Sequence, residues 1–161
     1  MNFGFSYIGL IFMAMLIIPN IIYTKNQPAD YEKYAANENR LLQIFERIGE
    51  VLVTCCALII SDFNIGEISA RSFWLLGAFV LMILYEIYWV RYFKSEKTMA
   101  DFYRSLFGIP AAGASLPVAA FLLLGIYGRN IFMIISVVIL GVGHIGIHLQ
   151  HRKEIGKEMS E

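Results

Sequence analysis

The chain has 161 residues, 58% of them hydrophobic and 14% aromatic, with a mean hydropathy of +0.61, a composition too apolar for an ordinary water-soluble core. Thirteen Lys and Arg balance thirteen Asp and Glu, so no basic footprint for nucleic acid and no acidic tail is on offer. The two cysteines, Cys55 and Cys56, are adjacent in an apolar run, which excludes a disulfide framework and zinc-site spacing and leaves packing as their role.

The first element, FGFSYIGLIFMAMLIIPNIIY over 3–23, matches the roughly 20 apolar residues that a helix needs to cross a hydrocarbon core. It has no basic n-region and no small-residue cleavage site, so it reads as a retained span rather than a signal peptide. The longest connection, TKNQPADYEKYAANEN, follows it. Pro28 and Asp30 are placed there to start a short interfacial helix, and Asn37 or Asn39 to cap the next one.

The second span, 43–62, is the weakest, because its uninterrupted apolar run covers only 51–60 behind Glu46, Arg47 and Glu50. Hydropathy alone allows a buried half-helix there. Three further spans are predicted over 72–93, 105–127 and 130–150. The fourth is rich in small residues at four-residue spacing, such as Gly108 and Ala112 or Ala111 and Ser115, which allow close helix approach. Its Pro117 frees the Gly113 carbonyl and should kink the helix, and this helix is expected at the centre of the bundle. The loop GRN, 128–130, makes the last two spans antiparallel neighbours.

Positive charge decides the doubtful second crossing. With five spans, Lys25, Lys33, Arg40, Arg47, Arg91, Lys94, Lys97, Arg104, Arg152, Lys153 and Lys157 fall on one side, and only Arg71 and Arg129 on the other. The expected fold is therefore an all-α integral membrane protein: five transmembrane helices in one bundle and one domain over 1–161, N-terminus out and C-terminus in. The expected location is a cell membrane crossed several times, with a composition suited to a bacterial cytoplasmic membrane.

This topology gives each ionisable residue a depth. Asn20 sits about 5 Å from the inner boundary at roughly 1.5 Å per residue. Glu46, Arg47 and Glu50 open the second helix, Glu86 and Arg91 lie in the aromatic belt YEIYWVRYF, and His144 and His148 reach the same level from the fifth. Glu46, Glu50, Thr54, Ala57 and Ser61 share one face of the second helix; Gly141, His144, His148 and His151 share one of the fifth. Charged groups in a bilayer turn inward and seek partners. The candidate ligand- or proton-binding set is accordingly Asn20, Glu46, Arg47, Glu50, Glu86, Arg91, His144 and His148, gathered in one polar layer near the cytoplasmic face.

His144, His148 and His151 are also the candidate metal ligands, with a glutamate to complete a site. The competing readings are interfacial histidines at a helix C-terminus and carboxylates in a structural ion-pair network. No motif requires a cofactor: there is no G-x-S-x-G elbow, phosphate loop or H-E-x-x-H, and no catalytic residue is assigned. The favoured function is a small transporter-like protein handling protons or ions, which at this size would need to form a homo-oligomer or join a membrane partner to enclose a path. The alternatives are a membrane enzyme acting on a lipid or amphipathic substrate, with Arg47, Arg91 or Arg104 holding a headgroup, and an accessory subunit of a membrane complex.

Overall fold

Residues 1–158 are described by the computed structural model; 159–161, the end of the expected single domain, lie outside the described residues. The elements run α1 (Tyr7–Tyr23), α2 (Tyr31–Ala35), α3 (Arg40–Ile59), a 3-10 turn (Ser61–Phe63), α4 (Ser72–Phe93), α5 (Met99–Tyr103), α6 (Ala112–Tyr127) and α7 (Ile131–Glu158). Among the described residues the fold is all-helical. By length and apolar composition two helices, α4 and α7, can cross a membrane; α1 and α6 are apolar but shorter, and α3 is amphipathic.

Each start and stop has a local cause. Ser6 accepts the Gly9 N–H at 2.9 Å to open α1, and Asn39 accepts the Leu41 N–H at 2.8 Å to open α3. Asn130 does the same for Met133 at 2.9 Å, so the tight turn 128–130 returns the chain antiparallel into α7. The expected span 105–127 loses its beginning: Leu106 and Ile109 pair across a turn in which Phe107 and Gly108 have positive φ, as does Ala111 just before the helix. Pro110 disfavours helix at Ile109, and α6 starts only at Ala112. Conversely, α7 runs past residue 150 to Glu158, because nothing in HLQHRKEIGKE breaks a helix once it is started.

Pairwise packing closes the five long helices into a ring in the order α1, α3, α7, α6, α4 and back to α1. No residue of α6 is exposed, which makes it the helix most enclosed by the others. The tightest crossing is α3 on α7, and glycine permits it. A Cβ on Gly49 would collide with the Leu140 backbone, and one on Gly143 with the backbone of Leu42 and Glu46. A similar notch at Gly9 seats α1 against the Ala57 carbonyl.

One end of the ring is tied by polar contacts. Asn2 donates to both Asp62 carboxylate oxygens, at 2.8 and 2.7 Å, and the Tyr127 hydroxyl donates to the Asn64 carbonyl at 3.0 Å. Outward faces are apolar: Ile18 and Ile21 of α1, Ile44 and Val51 of α3, Ile83 and Val90 of α4, and Ile135 and Val138 of α7 are all exposed.

Candidate functional site

At the other end the ring encloses a cavity of about 240 Å³. Its lining comes from the late turns of α1 and α4, the middle of α7 and the first half of α3 and α6, with Tyr31 of α2 and Phe102 of α5. Asn20, Glu46, Glu50, His144 and His148 line it, so five of the eight residues expected in a shared layer do meet there. The remaining wall is aromatic and aliphatic: Tyr23, Tyr31, Tyr85, Trp89, Phe102 and Phe121 with Leu16, Val118 and Leu140.

The other three expected residues take different positions. Glu86 does not line the cavity, since Tyr85 and Trp89 hold the inward face of α4 and the glutamate is turned about 100° away from Tyr85. Arg91 points at backbone, donating to the Ser105 carbonyl at 2.8 Å and the Arg104 carbonyl at 2.6 Å, and so pins the loop after α5. Arg47 stands outside with 82% of its side chain exposed, 3.7 Å from Glu50. It borders a shallow outer recess shared with Glu38, Gln43 and Glu46.

The glycine-mediated crossing of α3 and α7 sets the central contact: His144 Nδ1 and Glu46 Oε1 are 2.6 Å apart. His148 stacks edge-on to His144 with ring centroids 4.7 Å apart. From His148 the polar contacts lead away from the cavity. Tyr103 Oη lies 3.0 Å from His148 Nδ1 and 2.9 Å from His151 Nδ1. His151 Nε2, almost fully buried, lies 3.3 Å from Glu38 Oε1 without a hydrogen bond to it, and Glu38 accepts from Gln43 at 3.0 Å.

This arrangement replaces the expected metal set. Two of the three imidazoles turn their Nδ1 atoms to one tyrosine hydroxyl and the third to a carboxylate, so they do not converge on a point. Among the described residues no three His, Cys, Asp or Glu side chains form a metal-holding group.

The shared hydroxyl imposes a tautomer rule, because Tyr103 has one proton to donate and two Nδ1 atoms beside it. In one setting His148 donates Nδ1–H to Tyr103, Tyr103 donates to Nδ1 of His151, and His151 Nε2–H faces Glu38. Burial and the neighbouring Tyr31 raise the Tyr103 hydroxyl above its ordinary range, so it stays protonated.

Tyr103 and Glu38 were not among the sequence candidates, yet a signal for the first is present. Thr98 and Asp101 form a capping box: Thr98 Oγ1 accepts the Asp101 N–H at 3.1 Å, and Asp101 Oδ2 accepts the Thr98 N–H at 3.2 Å. That box starts α5 and so aims Phe102 into the cavity wall and Tyr103 at the histidines.

One polar atom of the wall lacks a partner: Tyr23 Oη is buried with no hydrogen-bond partner, while Asn20 donates to the Tyr85 hydroxyl at 2.8 Å and Trp89 hydrogen-bonds with the same tyrosine. Comparison with known protein families, characterised proteins and solved structures gives no match, so the chemistry of the cavity carries the functional reading.

Proposed function

We propose that the chain is a five-span membrane protein, N-terminus out and C-terminus in, that handles protons in the manner of a small transporter through its inner cavity. The outward apolar faces of α1, α3, α4 and α7 support the membrane placement, as does the one-sided distribution of Lys and Arg. The observation that carries the proton reading is the run of titratable contacts from Glu46 and His144 through His148, Tyr103 and His151 to Glu38. It begins at Glu46, which lies between the cavity and the recess outside it, and ends at Glu38 of that recess. Structural histidines need one hydrogen-bond partner each; a hydroxyl bridging two imidazoles with a carboxylate beyond is what a relay needs.

The test is proton flux in liposomes with an enclosed pH dye, driven by a potassium diffusion potential. Wild-type protein should carry flux that Glu46→Gln abolishes and Tyr103→Phe lowers at least tenfold, with both variants folded by circular dichroism. Flux equal to that of empty liposomes overturns the reading.

A second reading, a membrane enzyme acting on an amphipathic substrate, is favoured by one feature. The end of the bundle away from the cavity is tied shut by Asn2, Asp62, Asn64 and Tyr127, which suits a one-sided cleft. Outer-side access of a water-soluble thiol reagent to cysteines placed at Leu16 and Phe121 separates the two, since only a transport path must open to both sides.

A further inference from the structure

The proton reading leaves the composition of the cavity wall unexplained. Its lining holds two carboxylates, Glu46 and Glu50, and six aromatic rings, but no Lys or Arg. Glu46 gives one oxygen to His144, which leaves the other available to a ligand. Arg47 approaches Glu50 only from outside. An anion would meet two carboxylates there, with His144 and His148 as the only basic groups on the wall, and a neutral apolar ligand would leave the carboxylates without use. A cation gains from both wall types, because carboxylates and ring faces both attract positive charge.

The unpartnered hydroxyl adds a second requirement. Tyr23 is 9% exposed and Trp89 4%, both line the cavity, and their rings are 5.3 Å apart. Tyr23 Oη is a donor with no acceptor from the protein, and a buried donor left unpaired is costly. An oxygen on the ligand would satisfy it. At about 240 Å³ the cavity is below the roughly 300 to 1,000 Å³ usual for small-molecule pockets, so the ligand is small.

We infer that the cavity binds a small organic ammonium ion bearing a hydroxyl or carbonyl oxygen, its charged head toward Glu46 and Glu50 and its oxygen toward Tyr23. This rests on the cavity being the working site of the protein. The ligand chemistry is shared by a free amino alcohol and by a choline lipid headgroup.

The experiment uses Trp89 as its own reporter: in Trp74→Phe it is the one tryptophan left. The full-length variant in maltoside detergent is titrated with choline, with its uncharged isostere 3,3-dimethyl-1-butanol, and with 3,3-dimethylbutanoate. Saturable change with choline, at least tenfold tighter than with the alcohol and absent with the acid, is expected. Glu50→Gln should then weaken choline by roughly tenfold and leave the alcohol unchanged.

Equal affinity for choline and the alcohol, preference for the acid, or no saturable change with choline overturns the inference. Each of these outcomes is separate from the flux assay, whose failure would instead remove the proton reading. A repeat in phosphatidylcholine and phosphatidylglycerol nanodiscs identifies the source. Loss of choline binding in the first alone means a lipid headgroup occupies the site, and retention in both means a free ligand.

Discussion

His144 of α7 and Glu46 of α3 are 98 positions apart in the chain and 2.6 Å apart in the fold, and Gly143 is the reason. With no side chain there, α7 lies directly on the α3 backbone at Glu46, and the imidazole one residue further on reaches the carboxylate. Loss of either partner leaves a partly buried polar group exposed to an apolar wall. A double-mutant cycle of Glu46→Gln and His144→Ala, read by denaturation in mixed micelles, should give a coupling of about 1 to 3 kcal/mol. Additive effects would mean that the contact contributes nothing to stability.

The same crossing makes glycine substitutions position-dependent. Gly143→Ala places a Cβ against the α3 backbone and should destabilise by about 1 to 3 kcal/mol, as overpacking does. Gly156→Ala, in the same helix with open space around it, should stabilise by roughly 0.5 to 1 kcal/mol through helix propensity. Thermal unfolding of the two variants side by side checks both signs.

Tyr103→Phe removes one hydroxyl from two imidazoles at once. Nitrogen NMR of ring-labelled protein should show His148 and His151 changing tautomer populations together, with His144 unmoved because its partner is Glu46. A change confined to one of the pair would show that the hydroxyl serves a single histidine.

Acid should loosen α5 before the bundle. The Thr98 N–H bonded to Asp101 holds that carboxyl below its ordinary range, so its cap contributes fully above the unfolded value of about 3.9 and is lost as pH falls through the lower folded value. Hydrogen exchange of the Phe102 and Tyr103 amides should therefore be protected near neutrality and rise on acidification below about pH 4. In Asp101→Asn the protection should already be reduced at neutral pH, and the difference from wild type should shrink toward acid.

Tyr23→Phe removes a buried hydroxyl that has no partner and keeps the ring that packs on Phe102, 5.1 Å away between centroids. The empty protein should gain about 1 kcal/mol of stability. A loss on substitution would show that the hydroxyl is already satisfied, by water or otherwise.

Much of the bundle is legible in the residues. Apolar length marks α4 and α7, Asn39 and the turn 128–130 mark helix ends, and the Glu46, Glu50 stripe and the His144, His148 stripe are plain at helical spacing. What misled was treating depth as sufficient for convergence. Glu86 and Arg91 share the depth of the site but not its azimuth, and on α4, where nearly every residue is apolar or aromatic, periodicity gives no direction. The loop 104–111 passed for helix by hydropathy, whereas Pro110 and the positive φ of Phe107, Gly108 and Ala111 bend it away.

By itself the sequence determined that this chain forms apolar helices with short turns and carries its polar groups on a few helical stripes, since those are local consequences of composition and 3.6-residue periodicity. Tertiary structure alone decided which stripes meet. That Tyr103, on a five-residue helix, bridges two histidines 45 and 48 positions away, and that the Tyr23 hydroxyl faces a cavity without a partner, follows from how glycine notches let α3 and α7 approach and how the capping box sets α5. Such contacts depend on the relative rotation and offset of separate helices, which no local pattern along the chain encodes.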